Sequence, residues 1–180
     1  MNYSLTTTEL IKKIPDLKAG DKILLSGVIY TARDAVHKRI AQLLDRGQSL
    51  PLKLDNAIIY YCGPCPARPG KVIGSCGPTT SARMDSLTPL VLSKGVKATI
   101  GKGPRSLEVQ KALRKYRALY LAVTGGIGAL LAQRVKTCEV VGFEDLGTEA
   151  VYRLEVENFP VVVALDIYGG NLFAFKTLTE

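Results

Sequence analysis

The feature that most constrains this chain is a recurring local pattern. A short apolar run ends in a turn that carries glycine or a hydroxyl, with a charged residue beside it. Lys22–Tyr30 (KILLSGVIY), Asn56–Tyr61, Val96–Ile100 and Ala118–Val123 are such runs and read as buried strands. Lys71–Ser75 reads as a further short strand. Helical spacing lies between them. Arg33–Leu44 puts Val36, Ile40, Leu43 and Leu44 on one face, with Asp34 suiting a helix start. The turn Gly77-Pro78-Thr79-Thr80-Ser81 opens a helix running to about Ser93, with Met84, Leu87, Leu90 and Val91 inward. Ser106 caps a helix to about Tyr116, and Ala129–Val135 is a short helix. The remainder reads as strands, Cys138–Phe143, Val151–Glu157, Val161–Ile167 and Leu172–Phe175, with turns at Gly147 and Gly169-Gly170. Strands mixed with crossover helices predict an α/β domain with a mixed sheet. No interior linker is visible, so residues 1–180 are expected to form one domain. Residues 1–20, polar and loosely patterned, are expected to pack on or near it as an extension.

Composition narrows the function classes. In 180 residues, 47% are hydrophobic and 22% charged, which excludes a disordered chain. No apolar run reaches the roughly 18–20 residues needed to span a bilayer. Met1–Thr8 has neither a basic n-region nor an apolar h-region, so a cytoplasmic protein is expected. The formal net charge of +8 fits an anionic substrate, an acidic partner or nucleic acid. Nucleic acid is disfavoured, because basic residues cluster only in pairs such as Lys12-Lys13 and aromatics are 7% with no Trp.

Four strand-end turns hold the candidate site residues, because ligands of open α/β sheets bind at strand ends. They are Thr31-Ala32-Arg33-Asp34 with His37 one helical turn on, Ser75–Asp85, Ile100–Arg105, and Thr124-Gly125-Gly126-Ile127-Gly128. Their cations and backbone N–H groups suit an anion, and the planar fork of Arg suits a carboxylate. Each has a plainer reading as well. Gly77–Thr80 also serves as a simple turn and cap, Arg33 and Arg83 as solvated surface arginines, and the lone His37 as a structural residue. Lys102 between two glycines is harder to dismiss. The Thr124–Gly128 turn lacks a third glycine at the offset a dinucleotide turn needs. Cys62-Gly63-Pro64-Cys65 with Cys76 is a weak zinc signal and a possible cluster set, while Pro64, Pro66 and Pro69 argue against a thioredoxin-type helix start.

Six segments together resemble the β-type component of the iron–sulfur hydro-lyases, the class I fumarate hydratases and L-tartrate dehydratases. They are Thr31–His37, Cys62-Gly63-Pro64, Gly77–Asp85, Gly101-Lys102-Gly103, Gly125–Leu130 and Asp166–Leu172, and they cover nearly the whole chain. The resemblance implies a "swivelling" β/β/α domain. It implies an active site shared with an α subunit, as α2β2 in the family pattern, that carries the [4Fe–4S] cluster, so that no metal is ligated by this chain and its four cysteines are structural or stray. It implies reversible dehydration of (S)-malate to fumarate, or alternatively of L(+)-tartrate to oxaloacetate. Thr79 is then the proton-abstracting base, and His37 relays a proton or orients a residue. Arg33, Arg83 and Lys102, with Gly77 and Thr80, bind the C4 dicarboxylate. No nucleic acid and no membrane belong to this reading. A binding module for small anions or nucleic acid is the competing reading from another class.

Overall fold

The structure, a computed structural model, describes residues 1–174. Its frame is a seven-stranded mixed sheet in the order β1-β2-β3-β4-β5-β7-β6 that closes on itself where β2 pairs with β7. The strands are β1 (Asn2–Thr6), β2 (Lys22–Thr31), β3 (Ile58–Tyr60), β4 (Ala98–Gly101), β5 (Leu119–Ala122), β6 (Val135–Gly142) and β7 (Val151–Leu165). Strands β2 to β5 run parallel, and β7 is antiparallel to both ends of that set, giving a closed ring of five. Hydrogen-bonded partners lead from Thr31 through Tyr60, Ile100, Leu121 and Val163 back to Asp21, where the Val163 N–H donates to the Asp21 carbonyl at 2.8 Å. The ring thus closes with a stagger of ten positions, from 31 to 21, and its small bore is filled by side chains.

Period-two alternation divides the apolar residues into two cores. Ile23, Leu25, Ile58, Tyr60, Ile100, Leu121, Phe159 and Val163 fill the ring. Ile59, Tyr61 and Tyr120 face outward, against Val36 and Ile40 of α2 (Asp34–Asp45), Val91 and Leu92 of α3 (Thr88–Ser93), and Val109 and Leu113 of α4 (Leu107–Tyr116). Ser106 caps α4 by accepting from the Val109 N–H. No helix among the described residues is long and apolar enough to cross a membrane.

Several elements differ from the sequence reading, each for a physical reason. Residues 2–13 form β1, parallel to β2, and α1 (Thr7–Lys13), closed by a capping box in which Thr6 and Glu9 satisfy each other's backbone N–H. Leu10 of α1 joins the ring interior, so the segment is part of the core. Lys71–Ser75 is not a strand. Both edges of β3 are taken by β2 and β4, so the segment folds back on Cys65 instead, with the Cys65 N–H donating to Ser75 O at 2.9 Å. The helix expected from Gly77 to Ser93 is a 3-10 turn, Ser81–Met84, followed by the separate α3, because Pro89 in the first turn of α3 cannot continue a helix from upstream. The strands expected at Val151–Glu157 and Val161–Ile167 are one, β7, whose left-handed Asn158 (φ 52°) is a bulge inside a continuous pairing with β2. The segment after Gly170 makes only a bridge, Leu165 with Asn171, and Phe175 lies outside the described residues. The short helix after Gly126 is α5 (Gly128–Ala132).

Candidate active site

Parallel pairing sets Thr31 beside Tyr60, Tyr60 beside Ile100, and Gly101 beside Ala122, so four strands end on one rim. The turns that follow carry Arg33, Gly63, Lys102 and Gly125. The Gly77–Ser81 segment is stitched across this rim by three backbone bonds. Cys76 N–H donates to Gly128 O (3.2 Å), Thr79 N–H to Tyr61 O (2.7 Å) and Ser81 N–H to Lys102 O (2.9 Å). Thr79 is half-buried and Thr80 exposed, and Thr80 bridges in parallel to Lys102. Gly77 packs on Gly128. The Lys102 ammonium reaches to 3.7 Å from where Gly125 would carry a Cβ, and no carboxylate of the described residues pairs with it.

The two arginines meet through acids. Arg33, at the N-cap position of α2, passes over Gly63, where a Cβ would lie 2.9 Å from Nη1 and 3.1 Å from the Thr148 carbonyl. A side chain there would push the guanidinium aside. Arg33 Nη2 pairs with Glu149 at 3.0 Å, and Arg83 Nη2 donates to Asp34 Oδ2 at 2.8 Å. Burial works to raise the Asp34 pKa, but its helix-start N–H, Arg83 and Arg33 hold the carboxyl below the usual range. Arg33 Nε and Asp34 Oδ1 lie 3.8 Å apart, too far for a hydrogen bond, and both are buried without a partner.

His37 lies beneath the rim. It is fully buried, donates from Nδ1 to Arg33 O at 2.9 Å, and meets Tyr61 edge-on at 5.5 Å. Burial depresses its pKa to about 4, so the ring is neutral, with Nε2 unpartnered. This geometry fits holding the Arg33 backbone at the start of α2.

Behind the rim stands a brace the sequence reading did not assign. Buried Arg105 donates from Nε to Asp85 (2.7 Å) and from Nη2 to Thr88 (2.7 Å), and lies between the rings of Tyr61 and Tyr120. The Tyr120 hydroxyl donates to Gly103 O (2.8 Å) and sits 2.9 Å from Ser81 Oγ, tying the Lys102 turn to the Thr79–Ser81 segment. Burial pushes the Tyr120 pKa up to about 12, which keeps it a donor. Glu149 was also missed, because its partnership with Arg33 is created only by the closing of β7 on β2.

The family model described as "Fumarase C-terminus" matches residues 2–176. The chain belongs to this family. It is 41% identical over 175 residues to a provisionally named L(+)-tartrate dehydratase subunit beta of Methanocaldococcus jannaschii, covering 93% of this chain and 90% of that one. It is 38% identical over 175 residues to the mitochondrial fumarate hydratase 1 of Leishmania major, covering 96% of this chain and 32% of that one. It is 36% identical over 167 residues to the anaerobic class I fumarate hydratase of Escherichia coli, covering 92% and 30%. The chain therefore spans about a third of the fumarate hydratases it matches and nearly all of the tartrate dehydratase β subunit.

Proposed function

We propose that this chain is the β-type component of an iron–sulfur-dependent hydro-lyase that interconverts (S)-malate and fumarate, with an active site completed by an α component. The observation that carries the reading is the single rim on which the Thr79 segment, Lys102, Arg33 and Arg83 lie. Dehydration requires a proton to leave a carbon beside a carboxylate, which is only weakly acidic. Cations on that carboxylate stabilise the charge that develops there. In this reading Thr79 takes the proton, Lys102 and the arginines hold the carboxylates, and Gly77 and Thr80 shape the turn and offer donors. His37 keeps Arg33 in place.

The [4Fe–4S] cluster has no fitting site here. Among the described residues no group of three His, Cys, Asp or Glu side chains comes together to hold a metal, and burial raises the thiol pKa of Cys62 and Cys76, the latter to about 12. The proposal therefore assigns the cluster to the α component, and the chemistry at the departing hydroxyl to groups outside this chain. A relative named as a β subunit, matched over 90% of its length, and the coverage of about a third of the fumarate hydratases support a second component.

A second reading, dehydration of L(+)-tartrate to oxaloacetate, is favoured by the high coverage and identity of the Methanocaldococcus relative. Anaerobic reconstitution with the α component and parallel kinetics on malate, fumarate and L-tartrate decide between them. The proposal expects activity that needs both components and kcat/KM highest on malate and fumarate. Preference for tartrate supports the second reading, and no turnover of any of the three contradicts both.

A further inference from the structure

Glu149 puts a carboxylate inside a cationic rim. Among the described residues, Arg33 and Arg83 are matched by Glu149 and Asp34, and no acid pairs with Lys102. A bare carboxylate beside a carboxylate-binding arginine costs affinity unless it does something else for that arginine. We infer that Glu149 is a positioning residue for dicarboxylate recognition: it holds the Arg33 guanidinium so that its remaining donors face the substrate. The inference rests on the hydro-lyase reading above.

The contacts around the pair carry it. Arg33 Nη2 is engaged by Glu149 at 3.0 Å, and Nη1 lies against the face of Gly63, so the guanidinium is held from two sides. Its buried Nε has no hydrogen-bond partner, so the Glu149 ion pair and the packing on Gly63 are what fix the guanidinium. Glu149 is itself placed with care. It ends the 3-10 segment Glu144–Glu149, in which Gly147 takes φ 57°, ψ −121°, a conformation side chains other than glycine's hydrogen do not tolerate. That segment is anchored to α2, whose first turn follows Arg33, by Arg39 to Asp145 (2.6 Å), and to β7 by the Tyr152 hydroxyl donating to Gly147 O (3.0 Å). The residue after Glu149 is fixed to the end of β2 by Thr31 Oγ1, which donates to Ala150 O and accepts from Tyr152 N–H. The positions of Glu149 and Arg33 are thus coupled through one strand end.

Calorimetric titration of succinate, a C4 dicarboxylate that cannot undergo the reaction, into the reconstituted α–β enzyme tests this. Hydrogen bonds to charged groups are worth about 1.5–3 kcal/mol, so Glu149→Ala is expected to weaken succinate about ten-fold or more. Glu149→Gln, which keeps an acceptor for Nη2, is expected to lose less. Gly147→Ala, which displaces Glu149 without touching it, is expected to weaken succinate in the same direction. On an Arg33→Ala background, Glu149→Ala is expected to have no further effect on succinate, whereas a merely structural role would weaken both backgrounds alike. Wild-type enzyme that binds succinate, with Glu149→Ala binding it equally well or with equal losses on both backgrounds, overturns the assignment of Glu149 alone. Wild-type enzyme that binds no C4 dicarboxylate overturns the hydro-lyase reading and this inference with it.

Discussion

Lys102 and His37 mark the two extremes of electrostatic environment at the rim. Lys102 stands over Gly125 with no acid among the described residues to neutralise it, so its charge is available to an incoming carboxylate. His37 is fully buried, and burial disfavours its charged form. This has a consequence for stability. The folded-state pKa is about 4, below the usual 6.5, so between these values the unfolded chain binds a proton that the native chain refuses. Stability is therefore expected to fall as pH drops from about 6.5 toward 4, by an amount on the order of 3 kcal/mol in full. Thermal denaturation of wild type and His37→Phe across that window checks it. The variant is expected to lose the slope, whatever its melting temperature at pH 7, and an identical slope would remove His37 as its source. At this scale the sequence was informative about cations and hydroxyls. Lys102 and Arg83 were picked out by their turn context. The acids Asp34 and Glu149 were not seen as partners, because an ion pair between residues far apart in the chain has no local signature.

At the scale of elements, the Gly77–Ser81 segment depends on support from neighbouring strands. It has no helix or sheet ladder of its own. Its position is set by the carbonyls of Tyr61 and Lys102 and by the Ser81 contact with Tyr120. Tyr120→Phe leaves the Gly103 carbonyl without its donor and Ser81 without its partner in a buried setting. The expected loss is about 1–3 kcal/mol, read as a lower urea midpoint with an unchanged m-value. An unchanged midpoint would show that the brace contributes nothing. Elements with strong local signals were legible, as with α4 and its Ser106 cap or β2 with its apolar stretches Ile23–Leu25 and Val28–Tyr30. Those decided by long-range pairing were not. Asn158 and Pro160 read as a turn, yet β2 pairs with β7 on both sides of Asn158 and carries the strand through. Lys71–Ser75 has strand composition, but both edges of the preceding strand β3 are already paired.

At the scale of the molecule, ring closure determines which turns become neighbours. Local patterns announced the individual strands but not that β7 would pair with both β2 and β5, and it is this closure that brings Glu149 to Arg33. Family resemblance supplied the architecture that periodicity alone left as a generic mixed sheet. The rim is also bordered by an uncovered surface. A groove of about 450 Å³ lined by Tyr3, Leu24, Val162 and Ile127 opens beside Thr124, with Leu24 43% exposed, and apolar surface next to a half-built site accords with a second component. The central claim, that this rim supplies the base and the cations to a shared cleft, is tested most directly at Thr79. In the enzyme reconstituted anaerobically with its α component, malate dehydration is followed by fumarate absorbance for wild type, Thr79→Ser and Thr79→Ala. The account predicts that alanine lowers kcat by about 10²–10⁴-fold with little change in KM, while serine, which keeps the hydroxyl, retains much of the activity. Wild-type turnover by the alanine variant would contradict it.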